Sequence, residues 1–131
     1  MKSRKIISIT LALITALFAV MSCIPTALAA EYQANGATYF TFTDDGITVS
    51  EGTYDGYKIE GTSLTINDSG TYVLSGNCAD GSVKVKKGTT GVTLVLNGLT
   101  LTSSTTAPIA CNKSTEVRII VASGSVNTLT D

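Results

Sequence analysis

The chain has 131 residues, with three cysteines and no histidine or tryptophan. Cations Lys2, Arg4 and Lys5, an apolar run over residues 6–20 and the small-residue stretch Pro25-Thr26-Ala27-Leu28-Ala29-Ala30 form a secretory signal, so residues 1–30 are set aside from fold reasoning. The remainder, Glu31–Asp131, is one small domain of 101 residues with six bases against ten acids, a net charge of −4; this excludes a basic nucleic-acid footprint, and the lack of histidine excludes imidazole acid–base chemistry and histidine metal sites.

The signal itself leaves one alternative. Val20-Met21-Ser22-Cys23 faintly resembles a lipoprotein cleavage box, so a lipid anchor at Cys23 stands against cleavage near Ala29 or Ala30 and release from the cell without membrane attachment. Export permits a disulfide between Cys78 and Cys111. The sequence pattern instead predicts free thiols, with Cys111 taking an inward core slot and Cys78 sitting in a corner.

From residue 31 onward, Thr, Ser and Gly make up 40 of 101 residues. β-Branched residues and glycine disfavour helix, and no apolar stripe of 3.6-residue period is present. Period-2 alternation appears instead over residues 39–43, 64–66, 83–85, 92–96 and 117–121. The domain therefore reads as all-β.

Two of these segments repeat. Val83-x-Val85, a spacer and Val92-x-Leu94-x-Leu96 match Ile109-x-Cys111, a spacer and Val117-x-Ile119-x-Val121, with one residue fewer in the second spacer. Leu64-x-Ile66 followed by Tyr72-x-Leu74 is a weaker upstream copy. A parallel β-helix explains such strand–corner–strand units, because one coil cannot bury its own apolar face and must stack on the next. A rival reading remains: Asn97-Gly98 is a strong hairpin signal that would fold Leu94 and Leu96 against Leu101 and Leu99 in an antiparallel sandwich.

Several motifs bear a family likeness. Thr65-Ile66-Asn67-Asp68-Ser69-Gly70-Thr71-Tyr72-Val73-Leu74-Ser75-Gly76, Leu94-Val95-Leu96-Asn97-Gly98, Thr102-Ser103-Ser104, Ala107-Pro108-Ile109 and Asn127-Thr128-Leu129-Thr130-Asp131 resemble those of secreted bacterial carbohydrate-binding domain proteins related in fold to pectate lyases. The resemblance implies a right-handed parallel β-helix, with this chain supplying the N-terminal coils of a longer solenoid. It also implies binding to plant cell-wall polysaccharide, cellulose or polygalacturonate, and bound calcium.

The residues offer few candidates for that chemistry. Asp44, Asp45, Asp80 and Asp131 are the possible calcium ligands, although Asp before Gly is ordinary turn chemistry. Tyr54 and Tyr57, in a glycine-rich loop, are a possible sugar platform; alternatively, their rings cap the core. Arg118 is the only arginine after the signal and points outward between Val117 and Ile119, either as a clamp for a sugar carboxylate or lyase base, or as a solvated charge. Lys84, Lys86 and Lys87 could attract uronates or simply solubilise a strand edge. The expectation is a secreted, non-catalytic polysaccharide-binding module, with a calcium-dependent lyase or a structural adhesin as alternatives. The last coil is as apolar as the one before it, so Ile109, Val117, Ile119 and Val121 are expected to be uncovered and residues 31–131 to associate or stay partly unfolded in isolation.

Overall fold

The computed structural model describes residues 36–131. The signal read at residues 1–30 and the alternative anchor at Cys23 lie outside them. The described residues contain ten strands: β1 (Thr38–Thr43), β2 (Gly46–Val49), β3 (Tyr57–Glu60), β4 (Ser63–Ile66), β5 (Gly70–Cys78), β6 (Ser82–Val85), β7 (Val92–Thr102), β8 (Ile109–Cys111), β9 (Val117–Val121) and β10 (Thr128–Thr130). No helix occurs among them, in keeping with the all-β expectation.

The strands form two sheets. One runs β10-β7-β5-β1-β2, with β9 also on β7; the other runs β3-β4-β6-β8. From β4 to β9 the chain visits the sheets alternately, and from β6 onward each strand lands parallel to the previous strand of its own sheet. Both sheets are mixed, because β1 pairs β2 and β3 pairs β4 in antiparallel fashion. A wholly parallel solenoid is therefore not what is seen: parallel ladders are closed off at one end by two antiparallel partners.

Register produces the core. Thr38, Tyr72, Leu94 and Ile119 form one inward row, and Phe40, Leu74, Leu96 and Val121 the next. Across from them run Leu64, Val83 and Ile109, then Ile66, Val85 and Cys111. The middle members are almost fully buried, and each buried aliphatic contributes roughly 1.5–3 kcal/mol. Thr38 is the polar member. Its hydroxyl donates to the Tyr54 carbonyl at 2.7 Å and accepts from the Tyr54 amide at 3.0 Å, which satisfies it inside the core.

Asn97-Gly98 does not make a hairpin. Leu74 pairs with Leu96, but Gly76 pairs with Leu99, so two residues of β7 oppose Ser75 in a bulge. Gly98 supplies a φ of 79° there. The strand continues through the bend, and Leu94, Leu96, Leu99 and Leu101 all enter the core. β9 therefore pairs the first half of β7 and β10 the second. Gly76 is needed for close approach, since a Cβ at that residue would lie 2.2 Å from the Phe42 carbonyl oxygen.

The cysteine placement corrects the expectation. Cys111 is in the slot opposite Val85, yet it is exposed, because no described strand lies beyond β8 to cover it. Cys78, expected in a corner, ends β5 and is buried beside Leu101. Both thiols are free.

Candidate functional site

The candidate residues separate once the corners are traced. Asp44, in the β1–β2 turn, uses Oδ1 to accept the Ala79 amide at 2.7 Å. Asp80, in the β5–β6 turn, accepts the Ser104 amide at 3.0 Å and its hydroxyl at 2.9 Å. These bonds hold its carboxyl below the usual carboxylate range. Asp45 shares the turn of Asp44, and Asp131 follows β10. Among the described residues no three acidic, cysteine or histidine side chains converge. Two of the four aspartates thus fasten corners, and the set does not fit the six to eight oxygens that calcium takes.

Tyr54 and Tyr57 are half-buried against the core. Tyr57 meets Phe40 edge-on with centroids 4.8 Å apart, and Tyr54 lies 5.9 Å from Tyr72. Their rings close the end of the core next to β1, as the packing alternative foresaw. Tyr72 is buried and donates to the Asp68 carbonyl at 3.0 Å. Burial, and then the charge of Asp68, push its phenol up to about 12.

Arg118 stands outward on β9, in register with Thr93 and, beyond it, Thr71. It borders an open groove of about 460 Å³ with Glu116 and Thr93. A second groove, of about 270 Å³, lies along the same corner between the sheets and is lined by Asn67, Asp68, Ser69, Lys86, Lys87 and Thr90, among others. This polar corner was not singled out by sequence reasoning. The lysine run was visible there, but one chain read linearly does not show which corners stack.

The stacking is explicit in the backbone. The Lys86 amide donates to Ile66, Asn112 to Val85, Gly88 to Lys113 and Glu116 to Thr89. Residues 86–89 therefore lie opposite 112–115, with Lys87 beside Lys113. The Val92 amide then bonds Glu116, which takes up the one-residue difference between spacers. Gly88 and Ser114 occupy equivalent left-handed positions, at φ 81° and 61°, and Ser114 is the non-glycine residue among those described that adopts positive φ.

Residues 60–131 match a family described as carbohydrate-binding domain-containing protein, and the chain belongs to that family. A protein of the same description from Acetivibrio thermocellus (strain ATCC 27405) is 33% identical over 88 residues, covering 66% of this chain and 31% of the relative. The chain thus spans about a third of that relative's length. No solved structure matches.

Proposed function

We propose that this chain is a non-catalytic module that holds a plant cell-wall polysaccharide, cellulose or polygalacturonate, outside the cell after export by residues 1–30. Family membership over residues 60–131 carries this reading. The alternation of β4 to β9 between two sheets, each return parallel, supports a right-handed parallel β-helix, since parallel crossovers are right-handed in nearly all proteins. The exposed Ile119 and Val121 on β9 support the reading that these are the first coils of a longer solenoid.

Calcium is not routed into this function, because the aspartates that would hold it do not converge. The outward rows open to a polymer include Thr71, Thr93 and Arg118 on one sheet and Thr65 and Lys84 on the other. A co-sedimentation panel with insoluble cellulose and polygalacturonate gels tests the reading. Retention on at least one polymer, without growth of the ultraviolet absorbance of unsaturated uronides, is expected. Retention on neither overturns it, and absorbance growth lost in Arg118→Ala replaces it with the lyase.

A further inference from the structure

We propose that the stacked corner formed by residues 67–69, 86–91 and 112–116 is a metal-free binding site for the carboxylate groups of an acidic glycan, read by the ammonium groups of Lys86, Lys87 and Lys113. This rests on the carbohydrate-binding reading above and deepens it. The first observation is where the cations lie. Residues 36–131 contain six cations and nine acids. Four of the six cations, Lys86, Lys87, Lys113 and Arg118, are on this corner or at the strand start beside it, against three of the nine acids, Asp55, Asp68 and Glu116. An acidic domain thus concentrates its positive charge along one ridge.

The second observation is that none of these four is neutralised. Among the described residues the ion pair formed is Lys58 with Glu60, at 2.7 Å on the opposite side of β4. The third is that Lys87 and Lys113 are stacked on adjacent coils, about 4.7–4.9 Å apart at the backbone. Like charges directly opposite one another destabilise a ladder. Ser114 adds a left-handed backbone that glycine holds in the coil before. This left-handed serine is a local backbone cost of the kind found at functional sites.

The groove gives the charge its partner chemistry. Asn67, Ser69 and Thr90 line it beside Lys86 and Lys87, offering amide and hydroxyl groups to sugar hydroxyls while the ammonium groups face a carboxylate. Lysine is a compact, mobile donor, suited to following carboxylates along a polymer rather than gripping one in a fork. With no acidic cage among the described residues, the charge of the glycan is met by ammonium directly and not through a bridging cation.

The test uses the whole exported protein and three probes: polygalacturonate, its fully methyl-esterified form and hydroxyethyl cellulose, in affinity electrophoresis with and without chelator. The expected result is retention by polygalacturonate that survives chelator, weakens with added salt and is lost on esterification. The triple variant Lys86→Gln/Lys87→Gln/Lys113→Gln is expected to bind polygalacturonate at least about tenfold more weakly, having lost three charge-assisted contacts. Lys58→Gln is expected to bind as wild type does. The single variant Lys113→Gln, expected to show a smaller loss at unchanged melting temperature, guards against misfolding of the triple. Unchanged affinity of the triple variant, or loss of binding with chelator, overturns the proposal. Binding to cellulose but not to polygalacturonate overturns this proposal alone, whereas binding to neither overturns the carbohydrate-binding reading as well.

Discussion

Phe40 and Val121 stand at the two ends of the same inward row, flanking Leu74 and Leu96, yet Phe40 is 0% exposed and Val121 61%. The difference lies in what flanks each end. Beside Phe40, β2 and β3 turn back antiparallel, and the rings of Tyr54 and Tyr57 close over the core. Beside Val121 no described strand follows in the ladder, and Ile119 and Leu129 are exposed with it, at 50% and 42%. The same side-chain pattern is therefore core at one end and surface at the other. Burial here is a property of the stack, not of the coil.

The largest effect that would break this comparison comes from truncating both ends of the row. Phe40→Ala is expected to cost about 3–5 kcal/mol, a full core deletion with its cavity. Val121→Ala, already solvated, is expected to cost less than about 1 kcal/mol. Urea melts of the two variants measure this. Equal losses would mean that the end at β9 is covered in solution.

Tyr72 sharpens the comparison at the closed end. Its phenol is raised from 10.0 to about 12 in the folded state. The stability tied to the neutral phenol is therefore complete below pH 10 and is lost as pH rises from 10 toward 12. Tyr72→Phe, although it forfeits the hydrogen bond to the Asp68 carbonyl, is expected to show a flatter alkaline limb. Stability against pH for both proteins reads it out.

At the other end a single side chain does comparable service. Asn127 Oδ1 accepts the Gly98 amide at 2.9 Å and the Leu99 amide at 2.7 Å, tying the segment before β10 to the bulge of β7. Asn127→Ala is expected to cost about 1–3 kcal/mol, because it strands those donors. Faster hydrogen exchange should appear at Leu99 before it appears at Leu74.

The smallest effect belongs to Asp80. Its carboxyl is held low by Ser104, so the stability it adds is present above the ordinary carboxylate range and lost as pH falls through its lowered folded value. Because the group is exposed, the change is slight. Acid melts of wild type against Asp80→Asn detect it as a steeper acid limb in the wild type.

The legible part of this molecule was the part governed by alternation. Val83, Val85, Val92, Leu94 and Leu96 announce inward positions by spacing alone, and Ile109 to Val121 repeat them with one residue fewer in the spacer, the same slip seen where Val92 bonds Glu116. The antiparallel β2 and β3 were not legible, because short strands of four residues with turns around Gly46 and Gly61 carry no signal of direction. Asn97-Gly98 misleads for a related reason: a left-handed glycine serves a bulge as well as a hairpin, and only the neighbouring strand decides. Cys111 was assigned the right slot and the wrong exposure, since a slot is local and its cover is not. Of the polar corner only the Lys86–Lys87 run was legible, because its residues come from three separate spacers that only the ladder brings together.

Those spacers have a further consequence. Between matched inward positions they contain three residues at 67–69, six at 86–91 and five at 112–116. The ladders on either side nevertheless keep Ile66, Val85 and Cys111 in line, and Gly70, Val92 and Val117 as well. Length is absorbed where the chain turns and is never passed on to the strands. An insertion or deletion at such a turn rewrites one step of the outer ridge while leaving every core neighbour where it was, so the ridge can change step by step without renegotiating the fold.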